Sequence, residues 1–257
     1  RQRAHPTLGR VSEAMSRLID KLREFSEAIK LSHSIFALPF AIAAAFLAAR
    51  GMPELTVLGK IVLACVAART SAMSFNRLID ADVDAVNPRT ATRAVPAGRL
   101  SRTFMAWATF ASASAFVVIA WWINDLAFRL SPIALVVLLG YSTTKRFTSL
   151  SHLVLGAALG LSPIGAWIAV RAESALEPVL LGLAILFWTS GFDVIYACQD
   201  HDFDRNIGLH SIPRRLGIAR ALWISRGFHA IAVGLLIAVG TVGAVGGSGP
   251  FYWGGVA

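Results

Sequence analysis

Seven apolar runs, each of roughly membrane-spanning length, restrict the folds open to this chain. They occupy residues 31–49, 55–75, 104–123, 130–144, 153–170, 178–198 and 227–245, and residues 250–257 resemble the start of an eighth. A helix of about 20 apolar residues crosses the hydrocarbon core of a bilayer. The composition, 56% hydrophobic and 15% charged over 257 residues, is typical of a membrane protein. The sequence therefore predicts an all-α, polytopic transmembrane helical bundle.

The basic residues alternate between the two sides of this bundle. Of 24 Lys and Arg, 19 precede the first run or lie in alternate loops. The opposite side holds only Arg50, Lys60, Arg129 and Arg171, and Arg69 remains inside a run. This bias places the basic loops in the cytoplasm, so we expect an integral protein of the cytoplasmic (inner) membrane. Because topology and lipid contact account for the net charge of +9, no nucleic-acid partner is predicted.

The segment before the first run is polar and basic, with apolar residues at helical spacing. These residues are Met15, Leu18, Leu22, Phe25 and Ile29. A helix of this kind lies in the membrane interface, with its apolar face toward lipid. The predicted organisation is an N-terminal interfacial segment at 1–30, followed by a single transmembrane domain at 31–257.

Two polar motifs lie at the ends of apolar runs. They read Asn76-x3-Asp80-x3-Asp84 and Tyr196-x3-Asp200-x3-Asp204. Positions i, i+4 and i+8 of a helix share one face, so each motif is predicted to project into one cavity. Both motifs end an even-numbered run and precede a basic loop, which indicates a duplicated helical unit with the motifs facing each other. Their active site would then face the cytoplasm.

The converging carboxylates predict a metal site. Four carboxylates in one cavity would repel each other unless cations lay between them. Oxygen ligands without Cys or His at ligand spacing favour Mg2+, which usually binds through carboxylates, waters and substrate phosphates. The predicted ligands are Asp80, Asp84, Asp200 and Asp204. Asp82 and Asp202 fall off the motif face and are expected either to be exposed to solvent or to contact the ligands without binding the metal.

Further motifs accompany the acidic pairs. They are Arg89-Thr90 with residues 93–98, Tyr141-Ser-Thr-Thr-Lys145-Arg146, and Asp193 ahead of Tyr196. With these motifs the chain resembles the UbiA superfamily of intramembrane aromatic prenyltransferases over nearly its whole length. The resemblance implies nine spans around a central cavity capped by cytoplasmic loops. Against that pattern the eighth span here is incomplete and the ninth is missing, so the domain at 31–257 would be incomplete at its C-terminus.

The resemblance also implies Mg2+-dependent transfer of a polyprenyl group from polyprenyl diphosphate. Asn76 would supply an amide oxygen or orient a ligand water. Donors to the diphosphate would stabilise charge as the C–O bond breaks. The candidates are Lys145, Arg69, Arg89, Arg93 and Arg146. Lys145 has the alternative role of a lysine whose charge extends to the interface from the end of a span.

An allylic cation remains when diphosphate leaves, and side chains are needed to stabilise it. The incoming acceptor needs a further group to take its proton. Tyr141 and Tyr196 would stabilise an allylic cation through their ring faces or hydroxyls. Asp193 would accept a proton from the acceptor's phenol. The alternative for Asp193 is a structural pair with an arginine.

The acceptor is implied by residues 31–40 and 141–152. They are similar to the 4-hydroxybenzoate polyprenyltransferase branch, and also to relatives that prenylate a dihydroxynaphthoate in menaquinone synthesis. Both acceptors are small aromatic acids with a phenol. The prediction is transfer to 4-hydroxybenzoate in respiratory quinone biosynthesis, with 1,4-dihydroxy-6-naphthoate as the alternative acceptor. A membrane transporter is the alternative of another class, since transporters also have repeats and charges at depth, but it needs no paired Asp-x3-Asp motifs.

Overall fold

The computed structural model describes residues 6–30 and 37–242, with the backbone alone at 6–14, 17 and 18. Every regular element in these residues is helical. The helices are α1 Pro6–Ala28, α2 Leu38–Ala49, α3 Leu55–Ile79, α4 Ala81–Val86, α5 Arg102–Ile123, α6 Asp125–Thr144, α7 Ser151–Arg171, α8 Leu176–Ala197, α9 His201–Ile207, α10 Ile212–Leu216 and α11 Ile218–Thr241. A 3-10 turn, Cys198–Asp200, joins α8 to α9.

The predicted transmembrane bundle is confirmed. In the described part of the chain, six helical segments are long and apolar enough to cross a membrane: α3, α5, α6, α7, α8 continued through α9, and α11. The first predicted run contains a shorter apolar helix, α2, of 12 residues. Residues 31–36 of that run, and the predicted eighth run at 250–257, lie outside the described residues.

Capping and basic side chains set two helix starts that hydropathy alone misplaces. The fourth run is predicted to begin at 130, but α6 begins at Asp125 because Asn124 caps it, accepting a hydrogen bond from the Ala127 N–H at 2.8 Å. The seventh run is predicted to begin at 227, but α11 begins at Ile218. Arg220 and Arg226 are exposed on its first turns, where long side chains can keep their charge in water.

Small residues allow the spanning helices to pack closely. A Cβ added to Gly160 of α7 would lie 2.5 Å from the carbonyl oxygen of Gly182 on α8. The reciprocal Cβ on Gly182 would lie 2.7 Å from the carbonyl oxygen of Gly160. Ala41 and Ala45 of α2 are fully buried in a cluster with Ala166 of α7. Small residues of this kind are typical of helix contacts in membranes.

We expect Gly160→Ala to lower the stability of the protein by about 1–3 kcal/mol, because the new methyl group meets a backbone carbonyl that cannot rotate away. Gly165→Ala on the same helix is the matched control, since a Cβ there meets nothing within 4 Å. Thermal unfolding in detergent measures both variants. Equal midpoints for the two would contradict the close approach of α7 and α8.

The end of α1 packs against the bundle at the end that carries the acidic motifs. Ile29 is 4% exposed, and the ring of Phe25 meets that of Phe104 edge-on with centroids 5.3 Å apart. Further toward the N-terminus, three apolar side chains of α1 are more than half exposed: Met15, Ile19 and Leu22. Leu18 of the predicted apolar face lies where only the backbone is described. This exposed apolar row is what an interfacial helix requires.

Candidate active site

The first acidic motif crosses a break between α3 and α4. The Asp80 N–H donates to the Asn76 carbonyl at 2.9 Å, and the Asp84 N–H donates to the Asp80 carbonyl at 2.7 Å. The helical i, i+4, i+8 register therefore continues through the break, and all three side chains line one cavity. Asp80 and Asp84 are 2% and 5% exposed.

The spacing of the second motif predicts one continuous α-helix, but the structure divides this motif between α8, a 3-10 turn and α9. After α8 the chain tightens into the 3-10 turn, which has three residues per turn, before α9 begins. Tyr196, Asp200 and Asp204 nevertheless line the same cavity as the first motif. Asp82 and Asp202 point away, with side chains 79% and 97% exposed, as expected.

Both motifs meet in a polar cavity of about 260 Å³. Its wall also carries basic side chains from α3, the loop after α4 and the end of α6, together with a second group of polar residues. These residues are Arg77, Arg89, Arg93, Lys145, Tyr141, His152 and Asp193. The structure thus brings together groups from α3, α4, α6, α7, α8, α9, the loop after α4 and the 3-10 turn, although up to 128 residues separate them, from Asn76 to Asp204.

The carboxylates of the first motif are paired with cations. Lys145 Nζ donates to Asp80 Oδ2 at 2.8 Å, and the Asn76 side-chain amide donates to the same oxygen at 2.9 Å. Arg93 Nη1 donates to both oxygens of Asp84, at 2.7 and 2.8 Å. Charge-assisted hydrogen bonds of this kind fix buried carboxylates in place.

An arginine from the first loop reaches across to the second motif. Arg89 donates to the two oxygens of Asp200, from Nε at 3.0 Å and from Nη2 at 2.5 Å. Its Nη1 donates to the Tyr196 hydroxyl at 3.2 Å. The hydrogen bonds to Asp200 raise the pKa of Arg89 above its usual value. This bidentate pair joins the two loops over the cavity.

The carboxylates fit a hard cation such as Mg2+. Asp80 Oδ1 is buried and has no hydrogen-bond partner among the described residues, so its lone pairs are available to a ligand. Within that same part of the chain, no three Asp, Glu, His or Cys side chains form a compact cluster. An ion held here would take its remaining ligands from water and phosphate oxygens, as Mg2+ commonly does.

Residues 37–257 match the UbiA prenyltransferase family. The chain belongs to this family. It is therefore an integral membrane prenyltransferase, and the transporter alternative is set aside.

Among its relatives are enzymes named for one acceptor, 4-hydroxybenzoate. It is 32% identical over 215 residues to the 4-hydroxybenzoate solanesyltransferase of Synechocystis sp., covering 83% of this chain and 72% of that protein. It is 34% identical over 216 residues to the 4-hydroxybenzoate octaprenyltransferase of Vibrio cholerae, covering 82% and 73%.

Solved UbiA structures share the fold. The apo structure of a UbiA homologue from Aeropyrum pernix K1 has a TM-score of 0.80 and 36% identity, and the match covers 88% of this chain and 83% of that one. A UbiA homologue from Archaeoglobus fulgidus bound to GPP and Mg2+ has a TM-score of 0.69 and 22% identity, covering 84% and 77%. The second likeness is one of fold.

Two basic residues predicted at the diphosphate do not line the polar cavity of this UbiA-family prenyltransferase. Arg69 lies two helical turns from Asn76, about 10 Å along the helix axis, and lines a separate, mainly apolar cavity of about 430 Å³. Arg146 Nη2 donates to the Ile79 carbonyl at 2.6 Å and supports the end of α3. Tyr141 lines both cavities and marks their junction.

Two residues of the UbiA-family site were not predicted. Arg77, 5% exposed, donates from Nε to the Ala28 carbonyl of α1 at 3.0 Å and lies 3.7 Å from Asp84. His152, 3% exposed, places Nδ1 2.6 Å from Asp193 Oδ2. The sequence does contain a signal for Arg77, because this arginine directly follows the motif residue Asn76 at the end of an apolar run. Asp193 has this histidine as its partner rather than the arginine of the structural alternative.

Proposed function

We propose that this prenyltransferase transfers a polyprenyl group from polyprenyl diphosphate to 4-hydroxybenzoate in respiratory quinone biosynthesis, using Mg2+. One observation carries the proposal: a cavity lined by both acidic motifs and by basic residues adjoins a larger apolar cavity, with Tyr141 on both walls. An ionic head and an apolar tail require these two environments side by side. The relatives named 4-hydroxybenzoate polyprenyltransferases support the acceptor, and the homologue bound to GPP and Mg2+ supports the donor and the metal.

Residues of the polar cavity would hold the diphosphate and its metal. We assign the metal to Asp80, Asp84, Asp200 and Asp204. When bound, Mg2+ neutralises phosphate oxygens and makes diphosphate a better leaving group. Lys145, Arg89 and Arg93 would donate to oxygens on which charge develops as the C–O bond breaks. Asn76 keeps Asp80 in place through its 2.9 Å hydrogen bond.

The remaining site residues would serve the reacting carbon and the acceptor. Tyr141, at the junction of the two cavities, would face the allylic carbon and stabilise its positive charge through the ring. Tyr196, held by Arg89, would act from the other wall. Asp193 would accept the phenol proton of the acceptor.

Pyrophosphate release tests the proposed function. Membranes containing the protein would be given a polyprenyl diphosphate with 4-hydroxybenzoate or with 1,4-dihydroxy-6-naphthoate, with Mg2+ or with EDTA. We expect Mg2+-dependent release and a prenylated product with 4-hydroxybenzoate. If product forms only with 1,4-dihydroxy-6-naphthoate, that compound is the acceptor instead of 4-hydroxybenzoate. If product also forms in EDTA, the reaction does not require Mg2+.

We also propose that the loop from Asp84 to Arg99 faces the cytoplasm and that α1 lies on that interface. In a variant without other reactive cysteines, Ala91→Cys should react with a membrane-impermeant thiol reagent only when the cytoplasmic side is open. Met52→Cys, at a position 64% exposed at the opposite end of the bundle, should react from outside. Labelling of Ala91→Cys from outside intact cells would reverse the proposed topology.

A further inference from the structure

A buried imidazole connects three helices beside the polar cavity. His152 of α7 lies with Nδ1 2.6 Å from Asp193 Oδ2 on α8. On the other side of the ring, the backbone N–H of Ile212, at the start of α10, donates to Nε2 at 3.3 Å. The ring is buried, and both of its nitrogens have partners.

These partners define the proton on the ring. Nε2 can accept the Ile212 N–H only if it carries no proton, so the proton of a neutral imidazole lies on Nδ1. Nδ1 then donates to Asp193, which is an acceptor when ionised. A histidine fixed in one tautomer in this way orients the carboxylate that it contacts.

Oδ1 of Asp193 is available to contact a substrate. The Asp193 side chain is 31% exposed and lines the polar cavity. Oδ1 has no hydrogen-bond partner among the residues that the structure describes, whereas Oδ2 is held by His152. The carboxylate thus has one oxygen for orientation and one for chemistry.

We propose that His152 is a positioning residue that holds Asp193 ready to take the acceptor's proton, a role that rests on the proposed function. The C–O bond of the prenyl diphosphate breaks, and its electron pair leaves on diphosphate. The allylic carbon bonds to the ring carbon next to the one that carries the phenolic hydroxyl. The proton of that hydroxyl passes to Asp193 Oδ1. Loss of the ring proton to water restores aromaticity, and Asp193 returns its proton to the phenolate oxygen.

The competing explanation is purely structural, because the imidazole also satisfies a buried backbone N–H. His152→Phe fills the space but removes both the donor to Asp193 and the acceptor of the Ile212 N–H. His152→Asn restores a side-chain N–H near the Nδ1 position without restoring Nε2, so the difference between the two variants separates the two explanations. Ser190→Ala is the local control, since Ser190 donates to the backbone carbonyl of His152 at 3.0 Å and does not contact the imidazole nitrogens.

Steady-state kinetics in detergent provide the test, with whichever of the two acceptors the wild-type protein uses. We expect His152→Phe to lower kcat about 100-fold, the order of effect of a misplaced general base. The KM for polyprenyl diphosphate should stay within about two-fold, because no diphosphate contact is lost. The kcat of His152→Asn should be about ten-fold higher than that of His152→Phe. The kcat of Ser190→Ala should lie within about three-fold of the wild-type value.

A more acidic acceptor isolates the proton transfer. With 3-fluoro-4-hydroxybenzoate, the phenol needs less help from a base, so the ratio of wild-type to His152→Phe rates should shrink several-fold. Wild-type kcat in His152→Phe, equal losses in the Phe and Asn variants, or an unchanged ratio with the fluorinated acceptor would each overturn the role of His152. Failure of the wild-type protein with both acceptors would instead overturn the proposed function.

Discussion

Asp80→Asn should reduce Mg2+-dependent prenyl transfer on the order of 1,000-fold, because it removes a charge on which both metal binding and diphosphate departure are proposed to depend. Asp80 is nearly fully buried, and Lys145 and Asn76 hold its Oδ2. Its Oδ1 accepts no hydrogen bond from the described residues and lies 3.9 Å from Arg146 Nη2. The amide keeps the shape of the carboxylate but not its charge. Pyrophosphate release against Mg2+ concentration measures the loss.

Asp82→Asn is the matched control for this variant. Asp82 is two residues away, its side chain is 79% exposed, and it pairs with Arg102 outside the cavity. We expect its rate to remain within about two-fold of wild type. Both proteins should elute as folded species in detergent. A folded Asp80→Asn protein with the wild-type rate, together with the same result for Asp204→Asn, would remove the metal assignment.

Lys145→Met should lower kcat by about 100-fold to 1,000-fold. The ammonium group lies 2.8 Å from Asp80 and faces the cavity in which diphosphate oxygens would lie. Methionine keeps much of the aliphatic volume but leaves buried Asp80 without its hydrogen-bonded cation, with Arg146 still 3.9 Å away. The kinetic constants for polyprenyl diphosphate measure the effect, which should appear in kcat if Lys145 acts on the leaving group.

Lys60→Met provides the comparison for Lys145→Met. Lys60 is also a lysine on a spanning helix, but its ammonium donates to the Trp122 carbonyl at 3.0 Å and lies over the Trp122 ring, at the other end of the bundle. Its removal should leave kcat within about three-fold. Equal losses in both lysine variants would indicate that membrane placement, rather than contact with substrate, explains the effect.

The membrane fold and the two motifs were accessible to sequence reasoning because local rules determine them. Apolar runs and the bilayer thickness specify spanning helices, and i, i+4 spacing specifies a shared face. Asn76, Asp80 and Asp84 follow that rule even across the break at Asp80, where the i+4 hydrogen bonds continue. The 3-10 turn that contains Asp200 was not predictable from spacing, since such turns commonly end α-helices without a strong sequence signal.

The partners of the motif residues depend on which helices pack together, and spacing does not contain that information. His152 and Asp193 are 41 residues apart, on helices brought together by glycines of α7 and α8. Arg77 contacts the backbone of α1, which no helical periodicity specifies. Arg69 illustrates the opposite error, since a shared helical face does not ensure a shared cavity when the residues are two turns apart.

The ion pairs of the polar cavity have a thermodynamic consequence. Lys145, Arg93 and Arg89 now compensate Asp80, Asp84 and Asp200. Magnesium alone would displace these cations and leave them without counter-charges, while diphosphate alone would draw them away from the carboxylates. When both bind, each exchanged charge has a new partner. The two ligands should therefore bind with positive cooperativity, and linkage requires each to increase the affinity of the other by the same factor.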